Sequence, residues 1–422
     1  MTKVSPHKSH QKDPNKSLTK LTSVTKGSIA FSKEVLKGFL SREKQDAYIC
    51  KAFSDFMDPL FLHPDFRVVN VRELESMLSD RVMTSLASKF DLEIVELGEP
   101  INSPKRGHSC PKINESFFYP EHLDFSNQRE FIESEYSHHL PHSKKITKGG
   151  RYFPKMYIYN LKTNNKGKYL IYYTGGAFLL THHTYFWHLP EYFPDYNLVF
   201  VSYSLGPEFS YPQGILDSID AYFHIMNRKP TTLSILGESA GGQMCLQLAV
   251  YIKEHFKDLD NYMAPKSIIL MSPFTDMTLS GQSIEFNGQL DSIKPSYGFQ
   301  QFLEMYLGFP LDTRTDLLFI KKNDTHFKSM QMLTLDDLKL PMFSPHNYNE
   351  LLHGLPPINI QTGSKEILLS DNMVLAQKLQ KYDVKVTWTI YEDQVHMWQT
   401  FSWIESAKRS YMEAREFINK YE

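Results

Sequence analysis

Ser239 is the residue of this chain best placed for nucleophilic chemistry. It sits in Gly237-Glu-Ser-Ala-Gly241, directly after Thr232-Leu-Ser-Ile-Leu236, a short apolar run of strand character. Gln243-Met-Cys-Leu-Gln-Leu-Ala-Val-Tyr-Ile252 follows and has the composition of a buried helix. Alone, Gly-x-Ser-x-Gly is a weak pattern that a Gly-rich turn with a capping serine also satisfies. Between a strand and a helix it becomes a sharp turn that lifts the serine oxygen above a sheet end. The small residues around Ser239 let the backbone turn without a Cβ clash. The helix N-terminus adds N–H groups and a positive dipole end beside developing negative charge.

A serine hydroxyl is a poor nucleophile at neutral pH. It needs a histidine to take its proton and a carboxylate to orient that histidine. In a strand-turn-helix arrangement of this kind the chain order is Ser, acid, His. Beyond His353 the chain has a single histidine, His396, in the loop-like stretch Glu392-Asp-Gln-Val-His-Met397 after a strand ending at Ile390. Two carboxylates follow the strand ending at Gln361, Glu366 and Asp371, within Thr362-Gly-Ser-Lys-Glu-Ile-Leu-Leu-Ser-Asp371. Glu366 is preferred on its position, because a carboxylate one short loop past a strand end can reach the next loop. Asp371 is the alternative acid, although it also suits capping of a helix over 372–380. Asp393 is a weaker third candidate, too near His396 in sequence to come from the preceding loop. The oxyanion needs backbone donors: Ala240 after the nucleophile, and Gly175 and Gly176 of Thr174-Gly-Gly-Ala-Phe178, a glycine-rich loop after an earlier strand.

These residues need a sheet to bring them together. Short β-rich runs recur at 152–159, 169–173, 198–203, 233–236, 268–271, 358–361 and 384–390. Most are separated by segments long enough for helices, which predicts βα units and a largely parallel sheet. The expected class is therefore α/β, a mostly parallel central sheet with helices on both faces and a helical cap. Residues 277–349 are too long for a simple crossover and include the run Phe299 to Leu307, rich in aromatics and methionine. An inserted cap is the expectation there. Residues 151–422 form the expected catalytic domain, and 31–150 read as a mainly helical flank or cap. His138, His139 and His142 fall in a polar stretch from Arg129 with no matching carboxylate or cysteine spacing, which reads as a solvated loop.

Residues 1–30 form a basic tail whose lysines outnumber its acids, a composition that stays flexible. Clustered lysines also suit peripheral contact with an anionic membrane surface. The net charge of -2 gives no global field for nucleic acid. The three cysteines, Cys50, Cys110 and Cys245, lack metal-ligand spacing and suit a reducing compartment. Cys245 reads as a packed small residue. No run of about 18 apolar residues exists, so neither a transmembrane span nor a signal peptide is expected. The expected location is cytoplasmic, free or peripheral to endoplasmic reticulum or lipid droplets. The chemistry calls for no cofactor and no metal.

Together these motifs resemble the hormone-sensitive-lipase-like group of α/β-hydrolases, and within it the fungal steryl acetyl hydrolase family. The resemblance runs from about Gly167 to Met397. Besides the oxyanion loop and Gly237-Glu-Ser-Ala-Gly-Gly242, it rests on Val201-Ser-Tyr-Ser-Leu-Gly-Pro-Glu208 with Tyr211-Pro212, on Met271-Ser-Pro-Phe-Thr-Asp276 and on Leu355-Pro-Pro-Ile358. It implies a serine carboxylic-ester hydrolase acting on hydrophobic acetyl esters such as acetylated sterols, with Glu366 as the acid, three residues past Gly363. The chain departs from the group where Thr174 and Ala177 replace the ends of His-Gly-Gly-Gly, and where Glu238 stands in place of a common Asp. It also lacks the N-terminal span of membrane-anchored relatives. An arylformamidase-like amide hydrolase would use the same triad. A ligand-binding protein on a hydrolase scaffold would commonly have lost one triad residue.

Overall fold

The computed structural model describes residues 90–97, 113–139, 154–162, 167–180, 188–258, 264–293, 298–312 and 330–422. The β-branched and aromatic runs form eight strands in one sheet: β1 (Phe90–Glu96), β2 (Lys155–Leu161), β3 (Lys168–Tyr173), β4 (Asn197–Ser202), β5 (Thr232–Glu238), β6 (Ile268–Met271), β7 (Ile358–Gly363) and β8 (Val386–Tyr391). Their spatial order is β1-β2-β4-β3-β5-β6-β7-β8. Pairs β1–β2 and β2–β4 are antiparallel, and every pair from β4 to β8 is parallel.

Strand order reverses at β3, whose neighbours are β4 and β5. In open parallel sheets, ligands bind beyond the carboxyl ends of the strands beside such a reversal. The register levels those ends here. Tyr173 of β3 lies opposite Gly237 of β5, Gly237 opposite Leu270 of β6, and Gly363 of β7 opposite Tyr391 of β8. The loops after β3, β5, β7 and β8 therefore emerge along one edge.

Both faces of the sheet are covered, as continuous apolar strands require. Side chains alternate between two cores. Tyr169, Ile171 and Tyr173 of β3 join the larger one with Met244 and Leu248. Leu170 and Tyr172 join the smaller one with Tyr411, Ala414 and Ile418. The helices are α1 (Gln128–Glu135), α2 (Gln213–Met226), α3 (Ala240–Phe256), α4 (Phe299–Leu307), α5 (Leu369–Lys381) and α6 (Glu405–Lys420). In α3 nearly every residue is buried. In α6 the apolar stripe Ala407, Tyr411, Ala414, Ile418 recurs at helical spacing and faces the sheet.

Two expectations for the N-terminal flank need correction. Residues 90–96, read as part of a helical flank, are the antiparallel edge strand β1. From Arg129 onward the chain is helical, in α1, rather than a polar loop. His139 is buried beside Tyr136, not solvated. The basic tail, most of the flank, Cys50, Cys110 and His142 lie outside the described residues. Cys245 is buried and free, as its position in α3 predicts. No helix among the described residues is long and apolar enough to cross a membrane.

The long stretch between β6 and β7 carries the short helix Gln282–Asn287 and α4, which runs between Gly298 and Gly308, both at positive φ. It packs onto the N-terminal segment and the loop after β4. Gln128 donates from Nε2 to the carbonyls of Tyr211 and Leu307, at 2.9 and 2.6 Å. Tyr136 donates its hydroxyl proton to Glu304. The N–H of Tyr211 donates to the Tyr306 carbonyl at 2.7 Å.

Candidate active site

The turn from β5 into α3 has the geometry that its glycines allow. Ser239 has φ 49° and ψ -117°, a sparsely populated region for a residue with a side chain. Its N–H donates to the Met271 carbonyl at 2.9 Å, and its own carbonyl accepts from Phe274 at 2.9 Å. The first turn of α3 lies hard against the end of β3. A Cβ on Gly241 would stand 2.0 Å from the Tyr173 carbonyl oxygen, and one on Gly237 would stand 2.3 Å from that of Gly241. Neither position has room for any other residue. Glu238, where Asp is common in the resembling group, uses its longer arm to accept the Tyr172 hydroxyl at 2.5 Å.

His396 lies in the loop after β8 with Nε2 2.9 Å from Ser239 Oγ. Its Nδ1 is 3.3 Å from Glu366 Oε2. With the proton on Nδ1 directed at the carboxylate, the Nε2 lone pair faces the serine hydroxyl. Ser239, His396 and Glu366 are 8%, 2% and 0% exposed, so water scarcely screens this chain of contacts. Burial lowers the His396 pKa to about 4, which keeps the imidazole neutral and able to accept a proton at pH 7. Burial raises the Glu366 carboxyl to about 8, against the backbone N–H of its own loop. The nearby Ser272 hydroxyl and Asn372 amide oppose part of that shift. Glu366 Oε1 has no partner of hydrogen-bond geometry.

The geometry separates the three acid candidates. Asp371 is buried in the first turn of α5 near Asp276, and burial with those neighbouring acids raises its pKa to about 8. It makes no capping hydrogen bond, because α5 starts two residues before it, behind Leu368. Asp393 forms an ion pair with Lys365 at 2.7 Å. Only Glu366 meets the His396 ring.

The loop after β3 brings Gly175 and Gly176 up to the serine. A Cβ on Gly175 would stand 3.1 Å from the Ser239 Cβ, and Gly176 has φ 105° with its missing Cβ 2.4 Å from the Leu180 carbonyl oxygen. Ala177 and Phe178 also have positive φ, 53° and 62°. Where the resembling group has glycine, Ala177 therefore holds a left-handed conformation despite its methyl. Thr174 takes the place of the histidine, and its carbonyl accepts the Tyr203 hydroxyl at 2.9 Å. Phe178 stacks on Tyr306 of α4 with ring centroids 3.9 Å apart and lies 6.3 Å from Phe274. These buried rings pack behind the loop and the turn that flank the serine. Among the described residues no group of three or more His, Cys, Asp or Glu could hold a metal.

One residue of this neighbourhood carries no sequence signal. Asp291, in the insertion, is 1% exposed and touches the backbones of both the acid loop and the histidine loop. Its flanking Asn287-Gly-Gln-Leu-Asp-Ser292 matches no motif, and its partners lie 76 and 105 residues away.

Known proteins similar to this chain are hydrolases. The profile described as steryl acetyl hydrolase matches residues 115–321, and that described as alpha/beta hydrolase fold matches residues 313–400. An esterase of Acinetobacter venetianus is 30% identical over 227 residues, which cover 52% of this chain and 63% of that protein. An acetyl-hydrolase of Streptomyces hygroscopicus is 24% identical over 56% of this chain and 69% of its own length. The crystal structure of an esterase from the bacterial hormone-sensitive lipase family superposes with TM-score 0.52 at 21% identity, covering 64% of this chain and 81% of that one. That likeness speaks for the fold.

Proposed function

We propose that the chain is a serine carboxylic-ester hydrolase of the hormone-sensitive-lipase-like α/β-hydrolases, which works through an acyl-enzyme and deacetylates hydrophobic acetyl esters, sterol acetates among them; similarity to the steryl acetyl hydrolase and alpha/beta hydrolase profiles supports this reading. The observation that carries this reading is the buried relay from Ser239 Oγ through His396 to Glu366.

Ser239 Oγ attacks the ester carbonyl while its proton passes to His396 Nε2. In its ionised form, which gains population as pH rises toward 8, Glu366 holds the ring by its Nδ1 and stabilises the imidazolium. The backbone N–H groups of Gly175, Gly176 and Ala240 take the negative charge that develops on the carbonyl oxygen. His396 then returns the proton to the departing alkoxide. Water attacks the acyl-enzyme with His396 as base, releasing the carboxylic acid and restoring Ser239. No step calls for a cofactor.

The apolar backing that Phe178, Phe274 and Tyr306 give to the loop and the turn beside Ser239 supports a hydrophobic ester, with the insertion acting as the cap over it. Similarity to an acetyl-hydrolase and to the steryl acetyl hydrolase profile supports acetyl as the acyl group. The lysine-rich stretch 1–30 would hold the protein at anionic membrane surfaces from the cytoplasmic side, which vesicle co-sedimentation at low and high salt tests.

The decisive experiment compares the parent with Ser239→Ala on a short-chain chromogenic ester. A loss of about a millionfold in kcat is expected. Near-normal turnover by that variant would sink the reading. An ester series varying acyl and alcohol separately then tests the substrate class, and preference for acetyl over butyryl on a steryl alcohol is the expected outcome.

A further inference from the structure

A single buried carboxylate joins the two loops that carry the acid and the base. Asp291 Oδ1 accepts the backbone N–H of His396 at 2.7 Å. Its Oδ2 accepts the backbone N–H of Ile367, the residue after Glu366, at 2.6 Å. Ser292 completes the grip, donating its hydroxyl to the His396 carbonyl at 2.9 Å while its own N–H donates to Asp291 Oδ1 at 2.6 Å. Asn287 donates to the carbonyls of Ser364 and Glu366 at 3.2 and 2.9 Å. Three residues of the insertion thus bind the acid loop three times and hold the His396 backbone at both its N–H and its carbonyl.

We propose that Asp291 is a positioning residue for the triad, a clamp that sets the spacing between the Glu366 loop and the His396 loop. The proposal rests on the serine-hydrolase reading above. Two features carry it. First, the clamp needs two acceptor oxygens facing two N–H groups. Only an ionised carboxylate supplies both, since an amide puts a donor at one of them. Second, the distance it governs is a sensitive one. The His396 Nδ1 to Glu366 Oε2 separation of 3.3 Å is at the long end of hydrogen bonding, so a small retreat of either loop breaks it. A buried carboxylate is otherwise an expensive way to tie two loops together. Burial and the neighbouring Glu366 carboxyl raise the Asp291 pKa to about 6 against the opposing pull of His396 and the two backbone donors, which leaves the carboxylate mainly charged at pH 7.

The test uses the full chain and four measurements: kcat, KM, the rate at which a fluorophosphonate labels Ser239, and thermal unfolding. Asp291→Asn keeps the shape and one acceptor but turns an N–H toward an N–H. It should lower kcat about a hundredfold, the scale of a misplacement of about 1 Å. Labelling should slow in parallel, with KM within about threefold of the parent, since the clamp does not touch substrate. Asp291→Ala should lower kcat further. If that variant does not fold, Asp291→Asn alone decides. Parent kcat in Asp291→Asn overturns the clamp. So does a loss that disappears when the assay is cooled well below the melting temperature, because that loss would reflect stability alone. Ser239→Ala, run in parallel, separates the two ideas. If it stays active, the serine reading fails and the clamp with it. If it is dead while Asp291→Asn works normally, only the clamp fails.

Discussion

In the proposed mechanism the loops after β3 and β7 serve the same serine, and they are held by opposite means. The proposed oxyanion loop, Thr174 to Leu180, would offer backbone N–H groups and is fixed by contact. Gly175 and Gly176 press against Ser239 and Leu180, three successive residues have positive φ, and Phe178 locks under Tyr306. The acid loop, Gly363 to Leu369, offers a side chain and is fixed by polar ties. Asn287 and Asp291 bind its backbone, and the N–H of Lys365 donates to the Gln394 carbonyl at 2.9 Å. Backbone donors have no rotamers, so packing the chain closely is enough to aim them. A carboxylate swings on its side chain, and burial penalises its charge, so its loop must be anchored by groups that tolerate that charge.

That contrast can be broken at either loop. Glu366→Gln keeps the shape of the acid loop and removes the charge. It should cost about 10⁴-fold in kcat, because the amide leaves the imidazolium without its counter-charge and favours the wrong tautomer. A loss under tenfold would mean that loop position, rather than carboxylate charge, is what matters there. Gly176→Ala attacks the other loop. Its Cβ would meet the Leu180 carbonyl at 2.4 Å in a backbone of φ 105°, so the loop must retreat. About 10²–10³-fold in kcat is expected, the scale of a lost oxyanion donor, with Glu366 and His396 undisturbed. Unchanged kcat would move the oxyanion donors elsewhere.

The pH profile gives the smallest effect and sharpens the acid side alone. Burial holds the His396 pKa down near 4, so the base stays neutral well below the ordinary 6.5. The acid limb of kcat/KM should therefore fall in two steps, the first near pH 6 as the Asp291 clamp protonates and the second toward pH 4 as His396 does; in Asp291→Asn only the step toward pH 4 should remain. Stability follows with its own signs. Folded His396 resists protonation, so stability drops as pH falls from 6.5 toward 4. Glu366 and Asp371 hold protons more tightly when folded, so their contribution is lost as pH climbs from about 4 toward 8.

The same contrast explains what the sequence made legible. Parallel strands buried on both faces announce themselves as apolar runs, and β3 to β8 fall within a few residues of their expected bounds. The serine turn, the oxyanion loop and the single downstream histidine lie at strand ends in fixed chain order, which a linear pattern records. Glu366 and Asp371 stayed open because both follow β7 closely, and only the third dimension shows which one faces the ring. β1 was missed although Phe90, Leu92 and Ile94 alternate with Asp91 and Glu93. After Phe90 this edge strand is open on both sides, Leu92 and Ile94 included, so its alternation marks no buried face and its charges also suit a helical flank. Asp291 left no trace, since its meaning lies in two backbone N–H groups far away in sequence. Ties made by side chains to distant backbone are written in no local spacing.

The twisted backbone at Ser239 has a consequence for the lifetime of the protein. A serine at φ 49° and ψ -117° stores conformational strain, on the order of 1–3 kcal/mol, that the surrounding packing must overcome. On the proposed mechanism, the active protein should then be less durable than a variant without the nucleophile. Ser239→Gly, which gives up the nucleophile and relaxes the turn, should unfold at a higher temperature than the parent in calorimetry. An equal or lower melting temperature would show the turn to be relaxed. Selection for activity at this position runs against selection for heat resistance, and a more robust form must find its gains away from the β5–α3 turn.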